Sequence, residues 1–215
     1  MDLLVDSFPD LLAGLAITIM LGLISFVLGS ALGALVTLAR ISASRVLRAL
    51  AAAYVSVFRG TPLLIQIMIV YFGLPQLGLQ IPPIPSAIIA FTLFSAAYLS
   101  ENFRAGVLGV DKGQWEAAAS MAMPYWKTLR RVIFPQAIRI ATPAVGSRFI
   151  ALMKDTSLAS AVTVVELTRV AEGIGTSTFR YMEALLLVGM LYWLVNTMLQ
   201  IGQQVLEKRM RRAYA

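Results

Sequence analysis

The chain has 215 residues, 59% of them hydrophobic and 13% charged, with a mean hydropathy of +0.79. Soluble domains carry charge on roughly a quarter of their residues, so a water-soluble globule is disfavoured. The balance of 18 Lys plus Arg against 11 Asp plus Glu suits nucleic acid or the inner loops of a membrane protein, and the long uncharged runs remove nucleic acid as a partner. Cysteine and histidine are both absent, which excludes disulfide frameworks, thiol nucleophiles, Cys or His metal sites and histidine bases.

In chain order, the first charge-free stretch is 11–39, longer than the ~20 apolar residues a helix needs to cross a bilayer. The next, 60–100, exceeds what one crossing can use, so the chain must turn within it. Leu74-Pro75-Gln76-Leu77-Gly78 and Ile81-Pro82-Pro83-Ile84-Pro85 supply the turn, with prolines that lack a helical donor and a glycine free in φ. Two crossings are therefore predicted, over 48–74 and 85–108. Arg59-Gly60-Thr61-Pro62 breaks the first of these, and broken helices at depth line cavities. An entry turn between an elbow helix and the span reads equally from the same residues.

A fourth span over 135–155 is interrupted by Arg139, Arg148, Lys154 and Asp155, and charges at membrane depth face a bundle interior or a watery cavity. The fifth, 184–206, is again uncharged. Five spans place the termini on opposite sides. Asp2, Asp6 and Asp10 mark the amino end, while Glu207-Lys208-Arg209-Met210-Arg211-Arg212 marks the carboxyl end as cytoplasmic. The expected fold is all-α, a polytopic membrane helical bundle of five transmembrane helices forming one domain, 1–215, with its amino terminus outside. The acidic amino end and long apolar run disfavour a signal peptide.

The long inner loop, 109–134, has readable local signals. Asp111 with Gln114 three residues on resembles a capping box, which predicts a short helix over 113–121. Pro124 then suits the first turn of a second helix, to about Phe134, on which Lys127, Arg130 and Arg131 share a face. Such a pair fits a groove on another protein or lies on the anionic inner leaflet. Outside, 158–165 is too short to span and either re-enters the bundle or forms an external helix.

This loop resembles a known family. Glu116-Ala117-Ala118-Ala119-Ser120-Met121-Ala122, followed by Val132-Ile133-Phe134-Pro135, is similar to the EAA loop of ATP-binding cassette importer permeases. Ala122 stands where that family has the glycine that allows the turn between two short helices, and Val132 and Phe134 stand where it has isoleucine and leucine. Three further runs narrow the resemblance to the polar amino-acid permeases: Phe58-Arg59-Gly60-Thr61-Pro62-Leu63-Leu64, Ala97-Tyr98-Leu99-Ser100-Glu101-Asn102-Phe103-Arg104-Ala105-Gly106, and Pro135-Gln136-Ala137-Ile138-Arg139 leading to Lys154-Asp155-Thr156-Ser157-Leu158. Val165-Glu166-Leu167-Thr168 extends the match along nearly the whole chain.

The resemblance implies a subunit of the bacterial cytoplasmic (inner) membrane that is not itself an enzyme. Two copies, or this chain and a related permease, would form the pore. Two cytoplasmic ATPase subunits would bind ATP and Mg, an external binding protein would deliver the amino acid, and this chain would hold no cofactor. Glu116 would anchor the loop in the ATPase, with Ala117, Ala118 and Ala122 permitting close approach and Pro124 opening the second helix; the alanines also read simply as good helix formers. Glu101, inside the third crossing, would meet the substrate's ammonium or form a structural pair with Arg104 at i+3. Lys154 would lie near the substrate carboxylate. Arg59, Gly60, Thr61, Pro62, Arg148 and Asp155 are expected along the pathway or at its gate, the last two sharing a helical face. The competing readings are a permease for another solute, such as methionine, and a non-transporting scaffold whose basic loop binds lipid.

Overall fold

The computed structural model describes residues 7–212, so Asp2 and Asp6 lie outside it. Nine α-helices are described: α1 (Phe8–Arg40), α2 (Arg45–Gly60), α3 (Leu63–Met68), α4 (Pro83–Leu108), α5 (Lys112–Ser120), α6 (Tyr125–Thr128), α7 (Phe134–Asp155), α8 (Leu167–Thr178) and α9 (Tyr181–Arg212), with no strand among the described residues. Three of them, α1, α4 and α9, are long and apolar enough to cross a membrane, and the bent pair from Arg45 to Leu77 makes up to four. The chain is an all-helical polytopic membrane protein.

Helix packing here rests on small residues, because lipid gives two apolar helices little hydrophobic reason to associate. The buried face of α1 includes Gly14, Thr18, Gly22, Ser25, Gly29, Gly33 and Thr37, which recur at helical spacing. Against α4 the approach is close: a Cβ on Gly33 would stand 3.0 Å from the Ala96 carbonyl oxygen. Thr37 Oγ1 donates across the contact to the Ser100 carbonyl at 3.0 Å. The other face of α1 exposes Leu12, Leu23, Val27 and Leu35. An outward apolar face is the reverse of a water-soluble bundle.

Helices α4 and α7 run antiparallel. A Cβ on Gly106 would meet the Ala137 carbonyl oxygen at 2.5 Å, Asn102 Nδ2 donates to the Ala144 carbonyl at 3.2 Å, and Arg148 reaches Ser95. Residue numbers fall along one helix as they rise along the other.

The second predicted crossing, over 48–74, breaks at the Arg59-Gly60-Thr61-Pro62 run. It is two helices bent by 103°, broken at Thr61 and Pro62. Pro62 has no N–H to give the Phe58 carbonyl, which would otherwise be stranded. Gln66 Nε2 takes its place, donating to the Phe58 carbonyl at 2.9 Å and to Thr61 Oγ1 at 2.8 Å. Beyond α3 the chain passes through a π turn, Ile69–Gly73, and a 3-10 turn, Leu74–Leu77, that ends on Gly78 at φ 84°.

The helix predicted over 124–134 is different. Only Tyr125–Thr128 is α-helical, and a π turn, Leu129–Ile133, runs directly into α7. Pro135 cannot donate to the Arg131 carbonyl, and the wider turn falls where that bond is missing. After α7, a 3-10 stretch, Thr156–Val162, returns into the bundle, where Ala159, Val162 and Val164 pack with Leu63, Ile67 and Phe91.

Candidate functional site: an exposed loop and a buried chain of charges

Asp111 caps α5, its Oδ1 accepting from the Gly113 amide at 2.7 Å. Gln114 does not complete a capping box; its Oε1 accepts from Gln136 Nε2 at 3.1 Å instead. The far end of α5 closes as a Schellman turn. The Met123 amide donates to the Ala118 carbonyl at 3.1 Å and the Ala122 amide to the Ala119 carbonyl at 2.9 Å, with Ala122 left-handed at φ 51°. Ala122 thus takes the conformation that glycine adopts without strain. Glu116, Ala117, Ala122 and Pro124 are exposed, as are Met121, Tyr125 and Trp126, whereas Ala118 is buried against the chain itself. Ala118 therefore supports the loop from behind and presents no surface to a partner. Lys127, Arg130 and Arg131 are all exposed.

Glu101 is held by two arginines. Arg40 Nη2, from the last turn of α1, donates to Oε1 at 3.1 Å, and Arg104 donates to Oε2 through Nη2 at 2.6 Å and through Nε at 3.1 Å. The sequence found Arg104 from its spacing and could not find Arg40, which arrives from another helix. Toward the other end of the bundle, Arg148 pairs with Asp155 at 3.0 Å, as their shared face predicts. Arg148 also lies over the rings of Phe94 and Tyr98, and Arg59 lies over Tyr98. Two expected pathway residues, Arg59 and Arg148, thus meet on these aromatic rings, with a third, Asp155, paired to Arg148.

Glu101 and Lys154 are not brought together. Asn102 bonds to Ala144, and Lys154 lies ten residues further along α7, or about 15 Å at the helical rise. That span is several times the separation of the ammonium and carboxylate of one amino acid. The picture of Glu101 holding one end of a substrate while Lys154 holds the other does not fit this conformation. Lys154 itself is exposed and has no ion-pair partner among the described residues.

A further polar centre escaped the sequence reading. Glu166 is fully buried and caps α8, its oxygens accepting from the Thr168 amide at 2.9 Å, the Arg169 amide at 3.0 Å and the Tyr192 hydroxyl at 2.7 Å. Burial pushes its carboxyl above the usual range, and these hydrogen bonds pull the other way. Thr18 joins it from α1 by accepting from the Leu167 amide at 3.2 Å. Among the described residues no cluster of three or more acidic side chains could hold a metal.

A membrane bundle with an exposed two-helix loop and intramembrane charges has the build of a transport subunit. The chain belongs to the family described as binding-protein-dependent transport system inner membrane component, whose profile matches residues 29–212. It is 43% identical to the L-cystine transport system permease protein TcyB of Bacillus subtilis, covering 100% of this chain and 92% of that one. It is 38% identical to the arginine transport system permease protein ArtQ of the same organism, covering 96% and 95%. A crystal structure of an amino acid ABC transporter with histidines superposes with a TM-score of 0.92 at 34% identity, covering 96% of both chains. An inward-facing MetNI methionine ABC transporter, 24% identical, superposes with a TM-score of 0.71 and so shares the fold.

Proposed function

We propose that this chain is the membrane-spanning permease subunit of an ATP-binding cassette importer for polar amino acids. The observation that carries the reading is the exposed α5–α6 loop, with Glu116 and Ala117 on its surface, in a chain whose near-full-length relatives are named amino-acid permeases. Five crossings are inferred, with α7 as the charged fourth, the amino terminus outside and the carboxyl terminus cytoplasmic in a bacterial inner membrane. The loop then faces the cytoplasm and seats in an ATPase subunit, which holds ATP and Mg. Glu116 anchors it there, with Ala117, Ala122 and Pro124 at the contact. A second permease copy or a related permease completes the pore, and an external binding protein delivers the amino acid.

Along the path, Arg59, Gly60, Thr61 and Pro62 form the break, Arg148 and Asp155 the ion pair beside it, and Lys154 a free cation for the substrate carboxylate. An ammonium reaching Glu101 must displace Arg40 or Arg104, so Glu101 serves there as a hub for two arginines. The test is ATP hydrolysis by the complex co-purified with its ATPase, with and without binding protein and a panel of amino acids, in the parent and in Glu116→Lys. Stimulation by particular amino acids that is lost in the variant supports the reading. Absence of a co-purifying ATPase together with an inert Glu116→Lys would favour a lipid-binding scaffold.

A further inference from the structure

We propose that Tyr98 is the positioning residue of the gate, its ring tying the broken end of α2 to α7 by receiving a guanidinium from each. The proposal rests on the transport reading above. Arg59 lies in the last turn of α2, immediately before the 103° bend, with its Cζ 5.0 Å from the centre of the Tyr98 ring. Arg148, two turns before the end of α7, has its Cζ 5.0 Å from the same ring and 4.9 Å from that of Phe94. The two rings, one turn apart on α4, have centroids separated by 4.8 Å. Three cation–π contacts therefore converge on one stretch of α4.

The charges make the ring necessary. Arg59 and Arg148 repel each other, and the carboxylate of Asp155 is paired with Arg148, not with Arg59. The negative face of an aromatic ring attracts both cations, most strongly where water is scarce. Arg148 has only 10% of its side chain exposed, and its Nε is buried without a hydrogen-bond partner, so much of its stabilisation must come from Asp155 and the rings. Among the described residues the Tyr98 hydroxyl makes no hydrogen bond, which assigns the role to the ring. Gln66 holds the backbone at the break from within the bent pair, whereas Tyr98 connects that break to the opposite helix. A change at α7 is thereby felt at α2 through the ring.

The ring and the hydroxyl separate cleanly by substitution. Tyr98→Phe keeps the quadrupole, and Tyr98→Leu keeps apolar bulk without it. Because the chain has no cysteine, Ser56→Cys on α2 and Ala144→Cys on α7, both exposed, can carry spin labels in the complete transporter. Tyr98→Phe is expected to preserve both the interlabel distance distribution and the amino acid moved per ATP. Tyr98→Leu is expected to shift or broaden the distribution and to lower the transport-to-hydrolysis ratio by about threefold to thirtyfold, the range spanned by one or two cation–π contacts. Arg59→Gln, at an exposed position, should reproduce the Leu phenotype and provides the test if Tyr98→Leu fails to fold. A parental distribution in Tyr98→Leu or Arg59→Gln, or equal damage from Phe and Leu, overturns the proposal. The distance measurement needs no substrate, so a parent that moves no amino acid defeats the transport reading while the clamp is still judged.

Discussion

Arg40, at the end of α1, and Glu101, in α4, are ion-paired at 3.1 Å, although 61 residues separate them in sequence. Their contact closes the same α1–α4 interface that begins with Gly29 and Gly33, so helix packing and charge pairing hold one another in register. Removing the carboxylate leaves two partly buried guanidiniums facing each other. Glu101→Ala should therefore cost about 2–3 kcal/mol, below the fully buried limit because all three side chains keep some exposure to water. Arg40→Met in the Glu101→Ala background should cost much less than the two single changes added together. Thermal unfolding of the four proteins in detergent tests this, and strict additivity would dissolve the hub.

Ala122 sits at φ 51°, a conformation that costs an L-residue roughly 1 kcal/mol relative to glycine. Ala122→Gly should stabilise the turn by about that amount less the extra freedom gained by the unfolded glycine, and Ala122→Val should destabilise it by more. Hydrogen exchange at the Ala122 and Met123 amides, both bonded in the Schellman turn, reads the effect locally. Faster exchange in Ala122→Gly than in the parent would contradict it.

Gly106 is a different kind of glycine, required by space and not by φ. An added Cβ would press on the Ala137 carbonyl oxygen at 2.5 Å and on the Ala141 Cβ at 2.9 Å, a backbone atom and a side-chain methyl of α7, neither of which can swing away. Gly106→Ala should therefore lose about 1–3 kcal/mol by overpacking, despite the better helix propensity of alanine. Gly106→Ser should be no better, since its added Cβ meets the same atoms. Unfolding midpoints in detergent check both, and a neutral Gly106→Ala would mean that α4 and α7 can part at no cost.

Part of this architecture is legible in the sequence. Hydropathy located α1, α4 and α9 because each is a long continuous run, and Asp111 announced the start of α5 through its own side chain. The Gly60-Thr61-Pro62 break was readable from one missing donor, but its 103° angle depends on Gln66 and on packing against α4. The Arg148–Asp155 pair followed from helical spacing, whereas Arg40 and Tyr98 reach their partners across helices, a relation that no periodicity encodes. Glu101 and Lys154 were assigned to the two ends of one substrate by the resemblance and their charges, and the axial offset of α4 against α7 separates them. Tyr192 likewise reaches Glu166 from another element, a contact that no spacing announces.

Glu166 carries a consequence for pH. Its carboxyl is raised by burial, so the folded protein binds that proton more readily than the unfolded chain does. For a group raised on folding, the stabilising contribution is present below the unfolded value and is lost as pH rises through the folded one. Acidification from neutral toward the usual carboxylate range should therefore stabilise the α1–α8–α9 contact in the parent. Glu166→Gln cannot titrate and should lack this gain, so the stability of the parent relative to the variant should grow as pH falls. Tyr192→Phe removes a donor from the charged form and should cost about 1–2 kcal/mol, more at neutral pH than in acid. Hydrogen exchange of the α8 amides across that pH window, measured in parent, Glu166→Gln and Tyr192→Phe, tests the sign directly. A parent-to-Gln difference that stays constant, or shrinks in acid, would place the proton elsewhere.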